Sequence, residues 1–276
     1  MANMQMPIHG ETSLPHKHLK LLGKDIYLYR EISSTNTVAR LVALSGAPEG
    51  TIVMSKSQTA GKGRGRMNRQ WVCPPGKGLL MSMVLRPEIR VQFVPQLTLL
   101  CAVVVAETIK KVTGCAAGIK WPNDILIGGK KVCGILAESN FSNGSPEYVI
   151  IGIGINVNLD QPDLPADRLD TSTSLKLELG QRVSRLTVLK QFICTWDQHY
   201  QGFLEGGQGY LRHHWIQNNV ILGRNVTINK ENDSISGQAI DISENGGLIV
   251  RLADGNIQEF LAEDISIGSN YFGSNT

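Results

Sequence analysis

The sequence predicts an α/β chain of interleaved strands and helices that ends in a small all-β barrel. Three observations carry this expectation. Short apolar runs with strand character recur between residues 26 and 158, two long stretches carry helical texture, and near Val220 the chain changes to short strands separated by tight turns. The 276 residues, 42% apolar and 18% charged, suffice for one large domain, or a large and a small one, with ample core.

The opening MANMQMPIHGETSLPHKHLK lacks a charged-then-apolar signal pattern and reads as a loose tail over 1–20. IYLYR (26–30) alternates like a strand. In SSTNTVARLVALSG, Ser34 or Thr35 is placed to cap a helix whose apolar face is Val38, Leu41 and Val42, with Gly46 to end it. TIVMSKS (51–57) and LLMSMVLR (79–86) read as strands on either side of a loop rich in glycine and arginine. VPQLTLLCAVVVAETIKKVTG (94–114) is helical and apolar nearly all round, hence buried. AGIKW, DILI and KVCGILAES read as strands, with a Gly-Gly turn at 128–129, and YVIIGIGINVN (148–158) is an apolar strand running into amides. SRLTVLKQFICTWDQHYQGFLEGG (184–207) is a second amphipathic helix, with Leu186, Leu189, Ile193, Trp196, Tyr200 and Phe203 on one side. After Val220, NVTIN, SISGQAIDI, GLIVRL and IQEFLA are short strands joined by turns such as ENGG and ADGN. A barrel of that size is marginal alone and leans on its neighbour. No apolar run reads as long enough to span a membrane.

Composition excludes some function classes. A net charge of +3 is too small to imply nucleic acid by itself. The five cysteines are odd in number and scattered, with no CxxC and no Cys/His cluster, so neither a disulfide framework nor a zinc site is read, and free thiols fit a reducing cytosol. Aromatic residues are 6% of the chain and none lies inside GKGRGR, so a base-stacking platform is unsupported there.

Two stretches carry chemistry. QTAGKGRGRMNRQW (58–71) combines glycines that allow close backbone approach with Lys62, Arg64, Arg66 and Arg69, which describes either a cradle for phosphate or carboxylate or a solvated basic loop. It is not a P-loop, because no Gly-Lys is followed by Ser or Thr at the required spacing. GIGINV (152–157) only half-resembles a dinucleotide fingerprint, since Val157 stands where the third glycine belongs. KWPNDILIGGKKVCGILAE (120–138) places Asn123 and Asp124 at one end of a hairpin, while Lys131 opens its apolar return strand. Either dipeptide alone is compatible with a plain turn. Together they set a carboxylate, an amide and an oriented ammonium where one positive charge could lie between two anionic reactants.

The ordered set STN (34–36), QTAGKGRGR (58–66) with Trp71, PPGKGLLMSMVLRP (74–87), KWPND (120–124), KKVCGILAE (130–138) and GIGINVN (152–158) resembles biotin–protein ligases over roughly residues 30–265. That resemblance implies a mixed sheet backed by helices, like class II aminoacyl-tRNA synthetase and biotin synthetase domains, over 21–219, with an SH3-like barrel at 220–270. It implies activation of biotin by ATP with Mg2+, through biotinyl-5′-AMP, and transfer to one lysine of a biotin carboxyl carrier domain in the cytoplasm. Lys131, Arg64 and Asp124 are then the catalytic residues. Ser34, Thr35, Asn36, Gln58, Lys62, Gly63, Arg64, Lys131, Gly134 and Gly154 contact biotin. Arg66, Arg69, Trp71, Asn123, Asp124, Lys131 and Asn156 contact ATP, with Trp71 covering the adenine and Asp124 beside the metal.

This sequence departs from the family pattern in the loop, where the run from Gln58 to Trp71 is longer by about two residues. Counting from Gln58 puts Lys62 and Arg64 in the motif, and counting back from Trp71 puts Arg64 and Arg66 there. Some members carry an N-terminal winged helix–turn–helix and repress transcription. With about twenty residues before the catalytic region, the expectation is no specific DNA binding, no membrane association, and a possible homodimer. Lipoate–protein ligases, which share the fold and the reaction type, are the enzymatic rival, and a catalytically silent scaffold is the binding-only rival.

Overall fold

The structure is a computed structural model that describes residues 22–23, 25–63, 70–142, 144–229, 233–261 and 264–267. Seven strands form one mixed sheet: β1 (Ile26–Tyr29), β2 (Ile52–Ser55), β3 (Gly78–Leu85), β4 (Ala117–Lys120), β5 (Asp124–Ile127), β6 (Lys130–Ser142) and β7 (Ser145–Asn156), in the order β1-β2-β3-β7-β6-β5-β4. Only β1 and β2 run parallel, and a parallel pair needs a crossover, which α1 (Thr35–Leu44) supplies. Helices α2 (Val94–Thr113), α3 (Leu175–Leu179) and α4 (Arg185–Asn218) follow. A second, antiparallel sheet contains β8 (Asn225–Asn229), β9 (Ser234–Ile242), β10 (Leu248–Leu252), β11 (Ile257–Phe260) and β12 (Asp264–Ile267), in the order β11-β10-β9-β8-β12.

Strand alternation gives the large sheet two unlike faces. Ile151, Ile153 and Ile155 of β7 join Leu79, Met81 and Met83 of β3 in the core under α2 and α4, while Gly152 and Gly154 point the opposite way. The run YVIIGIGINVN is therefore apolar on its core side; on the other side Tyr148 and Ile150 pack with Ala39 and Ala43 of α1 in a second, smaller core, and the surface is bare of side chains only at Gly152 and Gly154. Helix α2 fills the core side. By length and composition alone, Val91–Thr113 is long and apolar enough to cross a membrane, with a mean hydropathy of 1.6 over its most apolar 18 residues, which corrects the reading that no run is; 72% of those 18 residues are buried in the fold, and α2 packs mainly against α4 and the sheet.

Three further features differ from the sequence reading. Ser34 is the N-cap of α1 by position, but its hydroxyl makes no capping bond. Val38 and Val42 pack, partly buried, on the core as expected, but the fully buried positions of that helix are Thr35, Asn36, Ala39 and Ala43, and Leu41 is 52% exposed, because a helix lying close on a sheet packs through its small residues. Helix α4 continues past the expected end at Gly207, through a kink where that glycine takes φ 57° and ψ −142°, and Leu211 and Trp215 draw its second half into the core. Helix α3 and strand β12 are not among the expected elements; both LKLEL and DISI alternate with the period of a strand, which for α3 is the wrong local signal. The C-terminal region is tied to the rest of the fold by Trp121 Nε1 donating to Gly246 O (3.0 Å), by Val220 N, just before the small sheet, donating to Ile119 O of β4 (3.0 Å), and by Gln96 Nε2 of α2 donating to Glu244 O.

At Gly207 the backbone occupies a region essentially closed to residues with a Cβ. Gly207→Ala should lower stability by about 1–3 kcal/mol, read as a lower urea midpoint with an unchanged slope.

Candidate active site

On the glycine side of the sheet a cavity opens between α1, the loop residues Gln58, Lys62, Gly63 and Trp71, and strands β6 and β7. Its floor is built by register. Gly134 of β6 pairs with Gly154 of β7, and Leu136 pairs with Gly152. A Cβ at Gly154 would lie 2.6 Å from Trp71 Cε2, and one at Gly134 would lie 3.0 Å from Trp71 Cζ3, so the indole rests directly on strand backbone. Its Nε1 is buried without a hydrogen-bond partner among the described residues.

Lys131 reaches this face through a bulge. Gly134, Leu136 and Glu138 share one face by alternation, and an odd-numbered residue would point into the core. The ladder between β5 and β6 shifts by one residue, pairing Ile125 with Cys133 but Leu126 with Lys131, so Val132 is the extra residue. Its side chain is buried, and Lys131 turns onto the glycine face. There Lys131 Nζ lies 2.5 Å from Asp124 Oδ1, a charge contact without hydrogen-bond alignment, and 5.7 Å from the centroid of the Trp71 ring. The Lys131 backbone is clamped on its other side, its N donating to Thr171 O (2.8 Å) and its O accepting from Thr173 N (2.9 Å). Asn123 is fixed by Nδ2 donating to Ile135 O (2.7 Å).

The far wall is a polar network at the start of α1. Thr35 donates through N (2.6 Å) and Oγ1 (3.0 Å) to Gln58 Oε1, which turns the Gln58 amide nitrogen the other way. Ser82 Oγ lies 2.7 Å from Thr35 Oγ1 and 2.6 Å from Asn36 Oδ1. Asn36 Nδ2 donates to Leu136 O (3.3 Å) and Glu138 Oε2 (2.7 Å). Asn36 thus has both amide hydrogens and its oxygen taken by the protein, while the Ser34 hydroxyl, unused in capping, remains at the cavity edge. Lys62 Nζ bonds Glu138 Oε1 at 3.1 Å with both side chains partly exposed, a weak latch that costs little to open. Sequence reading did not pick out Ser82 or the bridging role of Glu138. The signal for Ser82 was available, since it is the one polar residue of LLMSMVL, a run buried throughout.

A second cavity lies between KWPND and the small sheet and is lined by Lys120, Trp121, Pro122, Asn123 and Asp124 with Asn229, Ile265 and Ser266. The Trp121–Pro122 peptide bond is cis.

The first cavity brings together Ser34, Thr35, Asn36, Gln58, Lys62, Gly63, Lys131, Gly134 and Gly154. Of the residues expected at ATP, Asn123 borders both cavities and Asp124 the second, while Trp71 lies in the first with Lys131. Asn156 lines neither; its Nδ2 donates to Thr173 O (3.0 Å). Arg64, Arg66 and Arg69 lie outside the described residues.

The chemistry available here is electrostatic. Burial pushes the Cys73 thiol up to about 11 and raises that of Cys133 further, so neither offers a thiolate near neutral pH. The site holds a lysine beside a bare glycine floor, amide dipoles, and one carboxylate among the residues lining either cavity, Asp124. One carboxylate suits a hard divalent cation that also takes ligands from nucleotide phosphates.

The family model described as Biotin/lipoate A/B protein ligase family matches residues 28–156, and the one described as Biotin protein ligase C terminal domain matches 221–268. The bifunctional ligase/repressor BirA of Bacillus spizizenii is 38% identical over 249 residues, covering 90% of this chain and 76% of that protein. The chain belongs to the biotin protein ligase family. It is therefore an enzyme of the ligase class. The biotin–[acetyl-CoA-carboxylase] ligase of Paracoccus denitrificans is 32% identical over 79% of this chain and 90% of its own length. A solved biotin protein ligase from Aquifex aeolicus, in complex with biotin and ATP, superposes with a TM-score of 0.73 at 28% identity, covering 89% of this chain and all of that one.

Gly154→Ala should push the Trp71 indole off the floor. The expected result is a shift in tryptophan emission that disappears when Gly154→Ala is made in a Trp71→Phe background.

Proposed function

We propose that this chain activates biotin with ATP and transfers it to a lysine of a biotin carboxyl carrier domain. The biotin carboxylate oxygen attacks the α-phosphorus, the bond to the β-phosphate oxygen breaks, and biotinyl-5′-adenylate and pyrophosphate form. The carrier amine then attacks the acyl carbon, the acyl–phosphate bond breaks, and AMP leaves while the amine gives up a proton. The observation that supports this reading best is the meeting of Lys131, Gly134, Gly154, Gln58 and the start of α1 in one cavity.

Two anions must approach in the first step, and Lys131 Nζ is the cation positioned to lie between them. Its partner Asp124 releases it to the ligand and then remains as the nearest carboxylate for the carrier's proton. Gly134 and Gly154 let the flat ligand lie on the strands, Ser34 and Gln58 turn polar groups towards it, and Asn36 acts by holding β6 and α1 together. Asn123 and Asp124 face the nucleotide in the second cavity. Asp124 with the nucleotide phosphates would hold magnesium, which when bound neutralises charge on the departing pyrophosphate. Arg64, Arg66 and Arg69 are assigned by resemblance to the loop that closes over the acyl phosphate and keeps water from it.

We assign residues 21–219 to the catalytic domain and 220–270 to an SH3-like module. The exposed side of β1, an edge strand, is a surface on which a carrier domain or a second copy could add a strand. A cytoplasmic location is proposed from the ATP and carrier substrates. Absence of operator binding is proposed; among the described residues α1, α2 and α4 all pack on the large sheet, which supports this reading, and specific retention of biotin-operon promoter DNA in a mobility shift would contradict it.

The test is biotin-dependent ATP–pyrophosphate exchange, with lipoate and octanoate in parallel. Exchange with biotin alone is expected; exchange with lipoate would move the substrate to the rival acid. Lys131→Ala should fold and lose about 10²–10³ or more in adenylation rate, the range for removing one preorganised charge-stabilising group, and near-normal turnover would remove Lys131 from the mechanism.

A further inference from the structure

Away from the ligand cavities, Glu107 of α2, His199 before the α4 kink and His214 after it converge, with one ligand atom from each lying within 4.8 Å of the others. His199 Nε2 is 3.1 Å from Glu107 Oε2, and His214 Nδ1 is 3.9 Å from Glu107 Oε1. The His199 side chain is 2% exposed, and its Nε2 is buried with no aligned hydrogen-bond partner. The opposite nitrogen, Nδ1, lies 3.1 Å from the Tyr210 hydroxyl. If Nδ1–H donates to Tyr210, the ring is locked in the tautomer that aims the Nε2 lone pair at the carboxylate, and two lone pairs facing each other need a cation between them.

We propose that these three side chains form a site for a divalent transition metal of the zinc class. Two imidazoles and one carboxylate are a borderline donor set, better suited to zinc than to magnesium or calcium, which take oxygen ligands. Tyr210 supplies the outer hydrogen bond that orients a metal-binding histidine. Glu107 and His214 are 22% and 25% exposed, so the site opens to water on one side and leaves a fourth position for it. A tetrahedral zinc site brings ligand atoms to about 3.3 Å of one another; closing to that distance asks a small inward movement of His214, the more exposed arm. Lys111 Nζ, 3.5 Å from Glu107 Oε2 and 43% exposed, is the cation the metal would displace. His213, the neighbouring ring, has its Nε2 3.0 Å from the Gln217 side-chain nitrogen instead. A metal here ties α2 to both halves of α4 across Gly207, and so fixes the segment leading to Val220 and β4. The three ligands are far apart in sequence, so the absence of any Cys/His cluster along the chain does not bear on them.

The alternative arrangement uses protons alone: the Tyr210 hydroxyl donates to Nδ1, Nε2–H meets Glu107, and His214 stays outside. Calorimetric titration of the metal-stripped full chain with Zn2+, with the visible spectrum of Co2+ as a second probe, separates the two. The expected result is one equivalent bound with micromolar or tighter affinity and a zinc-dependent rise in Tm. His214→Ala and Glu107→Gln should each lose at least about tenfold in affinity, a loss that even an outer hydrogen-bond partner can produce, while His213→Ala and biotin-dependent pyrophosphate exchange stay unchanged. No saturable binding, or equal affinity in all variants, would overturn the site. His9, His16 and His18 are present in every variant, so metal held elsewhere does not follow the His214 and Glu107 substitutions.

Discussion

The site depends on one irregularity in the ladder between β5 and β6. A strand that must bury Cys133 and Ile135 on one side and leave Gly134 bare on the other cannot also show Lys131 on the bare side without an extra residue between them. The bulge at Val132 provides it. A charged residue two positions from a buried thiol would otherwise point to the core side of the sheet, where an unpaired ammonium is costly. The same shift that keeps the core apolar delivers the ammonium to Asp124 and to the glycine floor. Packing and chemistry are therefore set by one register choice.

The rest of the site follows from which groups are already committed. Asn36 looks like a ligand contact by position, yet its amide is wholly engaged by Ser82, Leu136 and Glu138, so it holds α1 against β6. Ser34 is the reverse case, a cap residue that does not cap. Trp71 lies on the glycine pair that a ligand would need, with its indole N–H unpaired, and Lys62 is latched to Glu138 through a partly exposed pair. The Lys62–Glu138 pair, being partly exposed, costs little to open, which is consistent with the loop role proposed above.

Much of this was legible in the sequence where a local period or a short motif carried it. The strands at 26–30, 51–57 and 79–86 and the helix at 94–114 follow from alternation and caps, and Lys131 at the head of its strand follows from the Gly-Gly turn before it. What escaped has a common physical reason: it depends on contacts distant in sequence. The buried face of α1 is set by how closely the helix approaches the sheet, so Ala39 and Ala43 outrank Leu41. The second half of α4 is held by Leu211 and Trp215 reaching the core past a glycine that locally reads as a stop. Asn156 sits beyond the floor in contact with Thr173, because β7 runs past the cavity's edge.

In the proposed function, the bulge, the glycine pair and Lys131 together make the surface on which biotin and ATP meet. The decisive measurement is a crystal structure of the chain with both bound. The expected structure has the ligand lying on Gly134 and Gly154, with Lys131 Nζ released from Asp124 and within hydrogen-bond reach of the carboxyl and α-phosphate oxygens. A ligand bound elsewhere, with Lys131 still on Asp124 and Trp71 still seated on the glycines, would contradict it.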